Sequence, residues 1–315
     1  MELRWVVSLM SGPFLIVGVT VGLTVASMAA FAAEGDVDAV GRLGHAPMNE
    51  ISGIARTQLP GIFWAHNDSG DSARLFAFGL DGEVVIPDYL KRRYSDGSWP
   101  GLRLHAAANV DWEDMAAAGD MLYLADMGNN GNARRDLGVY YLPEPNPEAV
   151  EEARVLGFWP VRYPDQDAYP AKQWHFDCEA VFVADGKLHF LTKHRRPFEQ
   201  MGWEPGTNLY RLDTEHTDRV NVLTWVAKRD DVTLATAAEM SPDGDRLAVL
   251  TYLGVWVFER PADGVDWLAG ESVFYPIARG IAKINEAIAW QDATHLLIAN
   301  EQRDLMRLEI RPRPQ

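Results

Sequence analysis

Residues 109–130 read NVDWEDMAAAGDMLYLADMGNN. Asp111, Glu113 and Asp114 stand directly before an apolar run, Gly119 and Asp120 interrupt it, and a second run closes on Asp126, Asn129 and Asn130. Two short runs about a Gly-Asp break have the grammar of a β-hairpin. The unusual feature is the negative charge at both of its paired ends.

The same grammar recurs along the chain, and a repeat has to be recognised before any fold is assigned. A glutamate opens each of five strand-like segments: NEISGIA with Glu50, DWEDMAA with Glu113, DCEAVFV with Glu179, AAEMSPDG with Glu239 and NEAIAWQ with Glu286. Second strands follow each: IFWAHND, LYLADMG, LHFLTKH, LAVLTYL and LLIANEQ. Third strands follow in turn, with Leu75, Val139, Leu209, Val255 and Leu305 in one column. Fourth strands are read at GEVVIP, ARVLGFWPV, VNVLTWVAK and ESVFYPI. The fifth unit has none, but VDAVGRLG at residues 37–44 has no unit of its own and can close the ring.

Five four-stranded antiparallel units describe an all-β, five-bladed β-propeller closed by an N-terminal strand, with six blades or a two-sheet sandwich as alternatives. Radial closure protects edges that a string of hairpins would expose. Residues 34–315 are expected to form this single domain. In residues 1–33, Arg4 precedes an apolar run from Trp5 to Met28 that leads into AAFAAEG. That pattern reads as a signal peptide cut after about Ala32 or Ala33, with an uncleaved membrane anchor as the alternative. The expected location is periplasmic or secreted.

Cys178 is the only cysteine, so no intramolecular disulfide holds the fold. The net charge of −16 argues against nucleic acid and anionic membrane as partners and favours cations. A monomer is expected, with a small-molecule or carbohydrate ligand.

In a propeller the first strand of each blade lines the central channel, so the repeated glutamates should converge there. Alternation adds Asp111 and Asp177, and turns Trp112 and Cys178 into inter-blade packing. Two such charges about 5 Å apart repel by roughly 3 kcal/mol at an effective dielectric near 20, so a ring of them needs a counter-charge. One answer is calcium, held by oxygen ligands from Glu50, Asp111, Glu113, Asp126, Asp177, Glu179, Glu239 and Glu286. The other is an ion pair with Lys193, in a basic run that continues through His194, Arg195 and Arg196. The eight histidines show no zinc-binding pairing. The second strands end near the same mouth and supply candidate ligand-binding residues: His66, Asn67, Asp68, Asn129, Asn130, Lys193, His194, Tyr252, Asn300 and Glu301. SPDG at 241–244 reads as a hairpin turn. Trp99, Trp174 and Trp203 lie in insertions and are better placed for ligand contact than the strand tryptophans Trp64, Trp112, Trp225, Trp256 and Trp290.

The segments EISGIA, WAHNDSGD, NVDWEDMA, LYLADMGNN, FDCEAVFV and NEAIAW resemble exported bacterial β-propellers related to the SdiA-regulated and phytase-like group. The resemblance implies a calcium ion near Glu113, Glu179 and Glu286. The sequence signature of true propeller phytases is absent, so phosphate hydrolysis is not carried over. The function expected is an exported calcium-binding propeller with a ligand-binding channel mouth. Its alternatives are a metal-dependent lactonase or phosphoesterase, and a glycosidase using channel carboxylates. No Gly-x-Ser-x-Gly elbow is present to support a serine esterase.

Overall fold

The computed structural model describes residues 31–32, 35, 37–197, 200, 202–262 and 264–311. The leader or anchor read at residues 1–33 lies outside these, apart from the two-residue strand Phe31–Ala32. Among the described residues no helix is long and apolar enough to cross a membrane.

Five antiparallel blades surround a channel. The inner strands, in blade order, are Ile51–Arg56, Trp112–Ala118, Trp174–Ala184, Ala235–Met240 and Asn285–Trp290. Each packs against the inner strand of the next blade, and the fifth packs against the first. The ring closes as expected: Val37–Arg42 pairs antiparallel with Asp304–Glu309 and completes the fifth blade. The third-strand column also holds, since Val139, Leu209, Val255 and Leu305 stand opposite Ala125, Leu191, Leu250 and Ala299.

Blade 1 corrects the expected fourth strand. GEVVIP contributes only a single bridge, Phe78 to Val84, alongside the lower half of the third strand. The upper half is covered by Leu102–His105, so the insertion leaves the blade and returns to it. Short parallel strands then extend three outer edges: Glu152–Arg154 on blade 1, Asn221–Val222 on blade 2 and Phe31–Ala32 on blade 4. Edge strands capped in this way present fewer free backbone groups.

The apolar faces between blades form the core. Trp112 packs with Trp64, Leu75 and Leu124, and Cys178 packs with Tyr163, Phe190 and Tyr210, as the alternation requires. Of the strand tryptophans, Trp64, Trp112, Trp256 and Trp290 are buried, whereas Trp225 is exposed on the outer strand of blade 3. Ser241–Gly244 forms the anticipated turn, with Gly244 N–H on Ser241 O at 2.9 Å.

Candidate functional site

Near the mouth each inner strand slips by one residue against its neighbour, leaving Ser52, Glu113, Glu179, Thr236 and Glu286 outside the ladder, and blade 3 carries a second irregularity between Trp174 and Asp177. A β-bulge frees that residue from pairing and re-aims its side chain. Three of the five are glutamates, and Glu113, Glu179 and Glu286 line one cavity of about 270 Å³ at the channel mouth, together with Ser52. This register corrects the repeat alignment in two blades. Glu50 lies two residues before the bulge, in the column of Asp111 and Asp177, and Ser52 takes the bulge position. Glu239 lies three residues after Thr236 and is at the other end of the channel. There its carboxylate accepts the Trp290 N–H at 2.5 Å and faces Arg56 Nε at 3.5 Å. The alignment failed there because bulges shift the glutamate column without altering the apolar pattern that surrounds it.

The blade 3 side of the mouth is electrically paired. Lys193 Nζ lies 2.6 Å from Glu179 Oε2, and Arg195 Nη2 lies 2.9 Å from Glu179 Oε1. Arg195 Nε also donates to Asp177, whose other oxygen accepts the Asn129 N–H at 2.6 Å. Lys193, only 2% exposed, donates further to Tyr252 Oη at 3.3 Å, and Tyr252 donates to Glu286 Oε1 at 3.0 Å. Against the cost of burial, Lys193 and Arg195 hold the Glu179 carboxyl below its ordinary value. Burial, opposed by Lys193 and reinforced by Glu179, pushes Glu286 up to about 8.

On the blade 2 side the counter-charge, Arg134, is bonded to Asp126 and not to Asp111 or Glu113. The side-chain carboxylates of Asp111 and Glu113 have no hydrogen-bond partner among the described residues, although Glu113 is only 6% exposed. One oxygen each from Asp68, Asp111 and Glu113 lie within 4.8 Å of one another, and so do oxygens of Glu113, Asp177 and Glu179. Gly128 makes room for this crowding: a Cβ there would lie 2.3 Å from Glu113 Oε1 and 2.5 Å from Asp111 Oδ2. Burial, then Glu179, Asp68, Asp177 and Asp111, push the Glu113 carboxyl well up. Burial and Asp68 raise Asp111 to about 6, with Arg134 opposing. Protonation or a cation relieves such a cluster.

The other sequence-derived candidates divide cleanly. Asp68, Asn130, Lys193, Tyr252 and Glu301 line the cavity with Glu50. Asp126 does not join the acidic trio, because Arg134 Nη2 meets it at 2.9 Å and the Asp111 N–H at 3.2 Å. His66 is fully buried, edge-on to Trp112, and burial pushes it down to about 4, so it stays neutral. Asn67 ties the loop through Pro47 O at 2.8 Å and Asp71 Oδ2 at 2.6 Å. Asn129 accepts the N–H groups of Ala133 and Arg134 and shapes the loop after blade 2's second strand. His194 stacks on His175 at 3.8 Å, and Asn300 accepts the Asp304 N–H at 2.9 Å. His66, Asn67, Asn129, His194 and Asn300 thus support the mouth and do not line it.

Two structural contributors were absent from the candidate set. Arg195 lies two residues beyond Lys193 and therefore on the same strand face, a signal that period-two spacing carries. Asp114 faces inward below the mouth and accepts N–H groups from three blades: Met115 at 2.8 Å, Val181 at 2.9 Å and Ala238 at 3.1 Å. No local pattern marks it as this junction.

No family model matches the chain, and no curated protein matches it. Among solved structures it is similar to a putative oxidoreductase (glucose dehydrogenase) from Thermus thermophilus. That match is 12% identical, covers 87% of this chain and 99% of that one, and has a TM-score of 0.46. A gluconolactonase from Xanthomonas campestris is 15% identical over 89% and 98%, with a TM-score of 0.44. The WD40 domain of Neurospora crassa Pan2 is 10% identical over 91% and 99%, with a TM-score of 0.45. The resemblance to the SdiA-regulated and phytase-like group has no family match behind it. The fold itself is a five-bladed β-propeller.

Proposed function

We propose that this chain is an exported, divalent-cation-binding propeller that holds a calcium-type ion on Asp68, Asp111 and Glu113 and receives a small polar ligand at the same mouth. The observation that carries this reading is Glu113: buried, without a hydrogen-bond partner, and flanked by four other carboxylates. Its carboxylate opens onto the cavity, and such a crowd of like charges is costly unless protonation or a cation relieves it. The donors are all carboxylate oxygens, from two segments, which suits a hard cation of flexible geometry and not zinc. Lys193 and Arg195 form their ion pairs with Asp177 and Glu179, and Lys193 reaches Asp68 and Glu286 only through the field, so the bonded pairs and the cation serve different halves of one mouth.

A metal-dependent hydrolase is the second reading, favoured by Glu286. Its raised pKa keeps a proton available at neutral pH across the cavity from the cation ligands, where a general acid would stand. A bound cation would there supply Lewis-acid polarisation of a carbonyl or phosphoryl oxygen.

The test is calorimetric titration of chelator-treated protein with calcium. One ion should bind per chain, and Asp111→Asn and Glu113→Gln should each weaken it by at least about tenfold. Wild-type protein that binds no calcium overturns the reading. Chelator-sensitive turnover of a lactone or phosphomonoester by the same preparation, lost in Glu286→Gln, would raise the second reading above the first.

A further inference from the structure

Trp203 stands at the rim of the mouth, beside the lining residues Arg195 and Tyr252, for a reason set by the backbone. Beyond blade 3's second strand, Lys187–Arg195, the chain folds back so that Glu204 N–H meets His194 O at 3.1 Å and Arg196 N–H meets Gly202 O at 3.0 Å. Arg195 and Trp203 thereby face each other in an antiparallel bridge. Directly opposed residues share a face. The indole therefore stands on the face carrying Arg195 and Lys193, edge-on to Tyr252 at 6.4 Å and 89°, and it is 48% exposed. Trp99 and Trp174, from the other insertions, are buried at 3% and 7%.

The mouth thus has an exposed indole at its rim beside a polar cavity. The indole adjoins this cavity through Tyr252, and Lys193, Glu286, Glu301 and Glu113 line the cavity with that tyrosine. A purely apolar ligand would strand those groups. An organic cation suits an indole face and the six carboxylates of the cavity, but on the Trp203 side it would stand beside Lys193 and Arg195, and the tetramethylammonium control tests it. A ligand that is apolar on one ring face and hydroxylated around its edge meets every demand. We propose that the mouth binds a single sugar ring, laid against Trp203 with its hydroxyls directed to Tyr252, Glu286 and Glu301. This inference rests on the cation reading in one respect: neighbouring sugar hydroxyls are oxygen donors able to complete a calcium shell. A cavity of about 270 Å³ suits one ring and not a chain.

The experiment uses the calcium-loaded full chain and saturation-transfer NMR with D-glucose, D-galactose, L-arabinose and D-ribose, with sorbitol and tetramethylammonium as controls. At least one cyclic sugar should bind, sorbitol should bind more weakly, and Trp203→Ala should weaken the sugar by roughly tenfold. Trp203→Phe should restore most of the affinity, and calcium titrated without sugar should bind both variants as it binds wild type. If no sugar binds while calcium does, the inference fails and the cation reading stands. Sugar affinity unchanged in Trp203→Ala, or tetramethylammonium binding that needs Trp203, also overturns it. Absence of calcium binding in the sugar-free titration defeats the cation reading separately, and sugar binding that still depends on Trp203 would then uphold the platform without the metal.

Discussion

Glu113 and Glu179 occupy the same bulge position in adjacent blades, and their surroundings give them opposite roles. Glu179 is bonded by Lys193 and Arg195, while Glu113 has only carboxylates about it. Replacing Glu179 by Gln leaves the Lys193 ammonium buried beside a neutral amide, and breaking such a buried pair costs about 3–5 kcal/mol. Glu113→Gln removes repulsion without changing shape, so in chelator it should be neutral or stabilising. Urea denaturation of both variants in chelator checks this; equal losses in the two would refute the division of the mouth into paired and unpaired halves.

At the scale of elements, the bulge is the device that turns a repeat into a site. Without it the inner strands would alternate regularly, and the glutamates would enter the ladder like their neighbours. The closing strand is the second device. Val37–Arg42 covers the edge of Asp304–Glu309, and Val37 and Val40 pack against the clusters built around Leu308 and Leu305. A chain beginning at Leu43 should therefore melt several degrees lower than one beginning at Gly35, and it should self-associate through the opened edge. Thermal melts with light scattering test this, and matching midpoints would mean that closure contributes nothing. Blade 1 shows where element-level reading falls short: GEVVIP has the composition of a strand, but the partner surface it would need is shared with Leu102–His105, which only the return of the insertion reveals.

For the whole molecule, crowded acids make stability depend on pH. Glu286 has a folded pKa of about 8 against an ordinary 4.5, so the folded chain retains a proton that the unfolded chain has released. Its contribution is present at low pH and is lost as pH rises through the folded value. Above about pH 7 the buried histidines His66, His189 and His194, held down to about 4, are neutral in both states and drop out of the balance. Between pH 7 and 8.5 the chelated protein should therefore lose about 1 kcal/mol through Glu286. Calcium, by its double charge, should lower that pKa and flatten the decline. Thermal midpoints across this range, with calcium and with chelator at constant ionic strength, decide it; a midpoint that rises with pH in chelator contradicts the proton held at the mouth.

The sequence by itself pointed to five blades, to ring closure by residues 37–44 and to a convergence of five repeated glutamates, four of which, Glu50, Glu113, Glu179 and Glu286, line the mouth. These follow from apolar period and turn spacing, which are properties of neighbouring residues. Only the tertiary structure decided that Ser52 and Thr236, not Glu50 and Glu239, share the glutamates' position. Only it showed that Lys193 and Arg195 pair one half of the mouth while Glu113 stays unpaired, and that Trp203 alone among the insertion tryptophans stays exposed. The physical reason is that a bulge shifts register by one residue at no cost to the local pattern. Charge pairing and exposure, in turn, depend on which blades meet across the channel, a distance that spacing along the chain does not encode.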